Sequence, residues 1–126
     1  MRLIVGGAYQ GKHAYAVQKY GFREEEIGDG AVADLDDIGS FKCIGNFQTL
    51  IKRALTDGGN PMEVTEKLLK GNPGVVILMD QVGNGIIPLE RSERVWREQV
   101  GRCGCFLAAQ AESVERVVCG IATRIK

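Results

Sequence analysis

Apolar and polar positions along this chain change period several times, and each change marks an element. Leu3-Ile4-Val5 is a short unbroken apolar run ending at Gly6-Gly7, which reads as a buried strand entering a turn. From His13 to Tyr20 the spacing turns helical, with Ala14, Ala16 and Val17 inward and Gly21 as the stop. Residues 24–37 hold seven acids and no Lys or Arg, the composition of a solvated surface. Within them Gly30-Ala31-Val32-Ala33 predicts a short strand after an Asp29-Gly30 turn.

Helical spacing returns over residues 46–56, where Phe47, Leu50, Ile51, Ala54 and Leu55 share one face, and Gly58-Gly59 ends it. Asn60-Pro61-Met62-Glu63 then starts another helix, with Asn as N-cap, Pro at the first helical position and Glu two residues on. That helix runs to Lys70, and Gly71 with Pro73 closes it. Val75-Val76-Ile77-Leu78-Met79 is the longest β-like run, and Asp80 stands at its C-terminal end. After a Gly83-Asn84-Gly85 loop and Ile86-Ile87-Pro88, a long helix spans Glu90 to Gln110 with Trp96, Val100, Cys103 and Leu107 on one side. Glu90–Arg94, Glu93–Arg97 and Glu98–Arg102 are i,i+4 pairs in the favourable order, and Gly101 and Gly104 point to close packing or a kink. Val114 to Ala122 reads as one final strand. The alternation predicts one domain over residues 1–126, of class α/β, with a small parallel sheet and helices on both faces.

The first turn carries the chemistry. Gly6-Gly7-Ala8-Tyr9-Gln10-Gly11-Lys12 fits G-x4-G-K between a strand and a helix, the context a phosphate-binding loop requires. Glycines let successive N–H groups converge on phosphate oxygens, and the helix N-terminus adds positive potential. Lys12 would reach the β- and γ-phosphates. His13 stands where a Ser or Thr usually ligates magnesium. Asp80 at the end of its strand is placed to hold Mg2+ directly or through water. Its ordinary alternative is to cap the turn that follows.

Sixteen basic and sixteen acidic residues cancel, so charge points neither to nucleic acid nor to a membrane surface. No apolar run approaches the roughly twenty residues of a membrane span. Arg2 is followed by only a short apolar run before the glycines, unlike an export signal, and a cytoplasmic location is expected. Four cysteines and a single histidine give no zinc-site spacing, and most of the thiols are expected to be free and buried.

Two blocks, GGAYQGKHAYA and ILMDQVGNGIIPLERSERVWREQVGR with the LAAQAESVERVVCGIATRIK that closes the chain, resemble the adenosylcobinamide kinase/adenosylcobinamide-phosphate guanylyltransferase family of cobalamin biosynthesis. The resemblance covers residues 1–20 and 74–126. Gly83, Gly85, Pro88, Arg94, Gly101, Arg102, Gly120 and Lys126 of the second block match the family pattern. It implies a P-loop NTPase-like fold that binds ATP or GTP with Mg2+ and phosphorylates the hydroxyl of the aminopropanol arm of cobinamide. Homo-oligomers, trimers among them, are also implied. On this resemblance Gly6 to His13 bind the nucleotide, Lys12 and Asp80 carry catalysis, and Gln81, Gly83 and Gly85 border the acceptor. The family's guanylylated histidine segment has no counterpart, and Asp80-Gln81 stands where the family has Asn-Glu. The guanylyltransferase half is therefore not expected. The alternative is a nucleotide-binding regulatory or partner subunit without transfer activity.

Overall fold

A computed structural model describes residues 1–82 and 90–126. Gly83, Asn84 and Gly85 and the Ile86-Ile87-Pro88 that follows lie outside the described residues. In chain order the elements are β1 (Arg2–Gly6), α1 (Lys12–Tyr20), β2 (Ile27–Asp29), β3 (Cys43–Gly45), α2 (Phe47–Thr56), α3 (Pro61–Gly71), β4 (Val76–Asp80), α4 (Arg91–Gln110), β5 (Ser113–Val118) and β6 (Ile121–Arg124). They form a six-stranded sheet in the order β2-β3-β4-β1-β5-β6. Every pairing is parallel except β5 with β6. The two strongest apolar runs sit side by side at its centre, Leu3 opposite Ile77 and Gly6 opposite Asp80, because parallel strands need cover on both faces.

The cover is uneven. Alternation along β1 sends Leu3 and Val5 to one face, where Phe47, Leu50 and Ile51 of α2, Leu68 of α3, and Val100, Cys103 and Leu107 of α4 pack. Ile4 points the other way, onto Ala16 of α1 with Cys43, Val76, Leu78 and Val117. Among the described residues three helices therefore cover one face and α1 covers the other, where Tyr20, Phe22 and Ile27 extend the packing toward β2 and β3. Among the described residues no helix is long and apolar enough to cross a membrane.

The helices follow the sequence in position, but on α1 only Ala16 of the three residues expected inward is buried, with Val17 half-buried and Ala14 exposed. Asn60 caps α3 by accepting from the Met62 N–H at 3.0 Å, and Glu98–Arg102 closes at 2.7 Å on α4. Glu93 reaches Lys52 of α2 at 3.0 Å. A Cβ on Gly104 would stand 3.0 Å from the Met79 methyl, so that glycine marks close helix–sheet packing.

The strands depart from it in three places. Residues 30–33 form a turn, because Asp29 Oδ1 accepts from the Ala31 N–H at 2.9 Å and bends the chain just after β2. The single strand expected from Val114 to Ala122 breaks into a hairpin, with Cys119 at φ 51° and Gly120 at φ 76°, both positive as a tight two-residue turn demands. β2 and β3 were not expected. The thiols also divide evenly: Cys43 and Cys103 are buried, Cys105 and Cys119 exposed. Burial pushes the Cys43 thiol up to about 12.

The acidic segment is largely surface, as its composition suggests, and is tied down at several points, Arg53 donating to the Gly30 and Ala33 carbonyls at 2.9 and 2.7 Å. Glu26 accepts from Lys42 Nζ at 2.5 Å and from the Arg23 N–H at 3.0 Å. Lys42 foremost, then Arg23, lowers its carboxyl from 4.5 to about 2. The unfolded chain protonates it near 4.5, so its contribution is complete above that pH and fades as pH falls toward 2. Glu26→Gln should therefore lower Tm at neutral pH, and the gap from wild type should close between pH 4.5 and 2. A gap that stays constant across an acid Tm series would contradict this account.

Candidate functional site: a phosphate cleft at the ends of β1 and β4

Residues 6–12 connect β1 to α1 in a loop that crowds against the β5–β6 hairpin. A Cβ on Gly6 would lie 2.5 Å from the Val117 carbonyl oxygen. Gly11, at φ 93°, starts α1, and a Cβ there would meet the Gly120 Cα at 3.2 Å. Gln10 ties the loop down from both ends: its Oε1 accepts from the Cys119 N–H and its carbonyl from the Gly120 N–H, each at 2.8 Å. Tyr9 takes a left-handed φ of 59° and projects fully into solvent.

Lys12 opens α1 and turns back under this loop. Its Nζ donates to Gly7 O at 2.7 Å and Gly6 O at 3.3 Å, and lies 2.6 Å from Asp80 Oδ1. An ammonium has three protons, and here it meets three acceptors. That is how a cation only 8% exposed is tolerated. Asp80 arrives there because Gly6 and Asp80 are register partners at the C-terminal ends of adjacent parallel strands, the edge where open α/β sheets hold ligands.

Buried Gln48 of α2 sets the backbone at Asp80. Its Oε1 accepts from the Asp80 N–H at 3.0 Å, and its own carbonyl accepts from Trp96 Nε1 of α4 at 2.8 Å. On the other side, buried Glu115 of β5 accepts from Lys19 Nζ at 2.7 Å and from the Tyr15 hydroxyl, pinning α1 to the sheet. Burial alone would raise the Glu115 carboxyl. Lys19 and Tyr15 outweigh it and hold the group below the ordinary range.

These elements enclose a cleft of about 680 Å³ lined by Ala8, Tyr9, Gln10, Gly11, Lys12, His13 and Asp80, among others. Thus Ala8 to His13 and Asp80, expected from the sequence to act together, do line one space. Gly6 and Gly7 contribute through their carbonyls to Lys12. Gln81 is exposed, and its N–H donates to Gly6 O at 2.8 Å. Gly83 and Gly85 lie outside the described residues. The residues fit a polyphosphate on three counts. A buried ammonium faces the cleft, the N-terminus of α1 opens onto it, and no side chain among the described residues caps that N-terminus.

Asn46, Asp29 and Glu24 were not singled out beforehand. Asn46 follows β3 at φ 52° and lines the phosphate cleft, and its Nδ2 donates to Asp29 Oδ1 at 2.9 Å. Asp29 and Glu24 line an adjoining hollow. The only hint in the sequence was an acid-rich segment without direction. Gln48 gave no signal, since a buried glutamine on a helix looks like any polar position.

The model of the family described as cobinamide kinase / cobinamide phosphate guanyltransferase matches residues 47–125. The bifunctional adenosylcobalamin biosynthesis protein CobU of Salmonella typhimurium is 44% identical over 52 residues, 41% of this chain and 29% of that protein. The chain thus aligns with less than a third of that relative's length. The family match takes in α2 and α3, which the sequence resemblance had left aside, and starts after the phosphate loop. β1 is nonetheless built into the matched unit, paired to both β4 and β5. With the match extending over more than half of its residues, the chain belongs to the cobinamide kinase / cobinamide phosphate guanyltransferase family.

Proposed function

We propose that this chain binds ATP or GTP in the 680 Å³ cleft and transfers the γ-phosphoryl group to the hydroxyl on the aminopropanol arm of cobinamide, as a step of cobalamin biosynthesis. One observation carries the reading: buried Lys12 lies 2.6 Å from Asp80 beneath a glycine loop at the start of a helix. Phosphoryl transfer asks mostly for positioning and charge neutralisation. Lys12 and the α1 N-terminus supply the positive charge. In doing so Lys12 exchanges its loop carbonyls for phosphate oxygens and releases Asp80. Among the described residues no three His, Cys, Asp or Glu side chains converge on a metal. Magnesium, which neutralises charge on the phosphates, would be held by phosphate oxygens, water and Asp80, its usual manner on nucleotides.

Guanylyl transfer through a histidine is not part of the proposal: the one histidine, His13, belongs to the phosphate cleft. A second reading, a nucleotide-binding partner subunit without transfer, is favoured by that same residue, because imidazole replaces the hydroxyl that suits a hard cation. A cytoplasmic homo-oligomer, with a trimer the form the family resemblance implies, completes the proposal. Ile121 on edge strand β6 and the neighbouring Ile125, both well exposed, support a contact between copies.

Isothermal titration with ATP and GTP, with and without Mg2+, tests the reading. Binding that strengthens with Mg2+, followed by phosphorylation of cobinamide, is expected. Binding indifferent to Mg2+ and no transfer would establish the partner-subunit reading. No binding of either nucleotide would overturn both.

A further inference from the structure

The phosphate cleft does not end at His13. A second hollow of about 450 Å³ continues from it across β2 and β3, on the α1 face of the sheet. The two spaces share His13, Gly45 and Asn46 as lining residues. The hollow lies beside α1 at the C-terminal ends of β2 and β3, where Gly28, Asp29, Gly45 and Asn46 line it. Its size falls within the range of small-molecule sites.

Its walls are of two kinds. Val17 of α1, with Phe22 and Ile27, makes an apolar side. Asp29 and Glu24 make an acidic one. The Asp29 carboxylate is oriented: Oδ1 accepts from the Asn46 side chain and the Ala31 N–H, each at 2.9 Å, and Oδ2 makes no hydrogen bond among the described residues. Two carboxylates beside the phosphate cleft repel a polyphosphate, so the hollow is not an extension of the anion site. An apolar wall facing a fixed carboxylate suits an aliphatic alcohol. The carbon chain packs on Val17, Phe22 and Ile27 while the hydroxyl donates to Asp29.

We infer that this hollow seats the phosphate acceptor, an alcohol on a short aliphatic arm, and that Asp29 receives its proton. The inference rests on the phosphotransfer reading for its chemistry but not for its location. In the step, the alcohol oxygen bonds to the γ-phosphorus as the bond from that phosphorus to the β–γ bridging oxygen breaks. The nucleoside diphosphate leaves with that electron pair, and the hydroxyl proton passes to the Asp29 carboxylate. Any bulk of the substrate beyond the arm stays outside, since the hollow opens to solvent past Glu24, itself exposed.

The test uses the full chain, dicyanocobinamide as probe and amide NMR shifts as readout, with nucleotide affinity measured separately by calorimetry. Dicyanocobinamide should shift the amides of Val17, Phe22, Ile27 and Gly28. Asp29→Asn keeps an oxygen for Asn46 and Ala31 and removes the charge. It should weaken the probe about tenfold, the scale of one charge-assisted hydrogen bond, and should cut turnover further than affinity. Val17→Trp fills the hollow from outside the phosphate cleft and should abolish probe binding. Both variants should keep wild-type Tm and bind ATP or GTP within about twofold of wild type, since neither residue lines the anion site. Probe shifts confined to Gln81 and Val82, or hollow shifts caused by the nucleotide alone, would overturn the inference while leaving nucleotide binding intact. Failure of both nucleotides to bind, with the probe still shifting the hollow and sensitive to Val17→Trp, would sink the phosphotransfer reading and uphold the site.

Discussion

Lys12→Ala should abolish measurable ATP and GTP binding while leaving the protein folded. Among the described residues the ammonium is the one buried cation in the cleft, and on binding it would trade two carbonyls and a carboxylate for phosphate oxygens. Charged hydrogen bonds are worth about 1.5–3 kcal/mol each, so losing contacts to two phosphates predicts a Kd weakened about a hundredfold or more. Stability should change little, because the Gly6 carbonyl keeps the Gln81 N–H while the half-buried Gly7 and the partly exposed Asp80 lie within reach of water. Asp80→Asn makes the contrast. It should spare the phosphate contacts and blunt the response to Mg2+, since the amide oxygen is a weaker ligand for a hard cation. Calorimetry and Tm on both variants decide it, and near-wild-type affinity in Lys12→Ala would remove the basis for the nucleotide site.

Gly6→Ala should be strongly destabilising. The added methyl would sit 2.5 Å from the backbone oxygen of Val117, and a strand carbonyl, unlike a flexible side-chain end, cannot step aside. Prising β1 from β5 there costs about 2–3 kcal/mol on the scale of overpacked cores, equivalent to a Tm lower by roughly 10 °C in a domain this size. The neighbouring glycine is the control. A Cβ on Gly7 meets only Gln10 Cγ at an ordinary 3.5 Å, so Gly7→Ala should shift stability by less than about 1 kcal/mol. Thermal unfolding of the pair measures the difference directly, and equal melting temperatures would show that the contact is not what holds Gly6.

What the sequence disclosed and what it concealed have separate physical origins. β1, β4 and the four helices were legible because burial on both faces, or on one stripe, writes a period into the residues. The convergence of Lys12 and Asp80 followed from two strand ends, each of which carried a recognisable group. β2 and β3 were hidden because three residues are too few to show any period, and Cys43-Ile44-Gly45 holds only one strong β-former. The Cys119-Gly120 turn did leave a trace, a glycine inside the apolar run from Val114 to Ala122 that reads as one strand. Asn46, Gln48 and Asp29 could not be assigned from local pattern. Their roles arise where α2, β2 and β4 meet, and such meetings are set by strand order, which no local window contains.

Gln10's bonds to the Cys119 and Gly120 N–H groups bear on the order in which the molecule acquires its structure. β1 is made first, yet both of its neighbours, residues 76–80 and 113–118, lie far downstream. While the ribosome is still adding the middle of the chain, Leu3-Ile4-Val5 has no sheet to join. The glycine loop after it has nothing to lean on. The cleft above Lys12 must therefore be among the last parts to form, and it forms together with the hairpin rather than before it. Contacts of such long sequence separation slow folding and prolong the exposure of an apolar strand. For this protein the vulnerable interval is the time between synthesis of its first strand and arrival of its fifth.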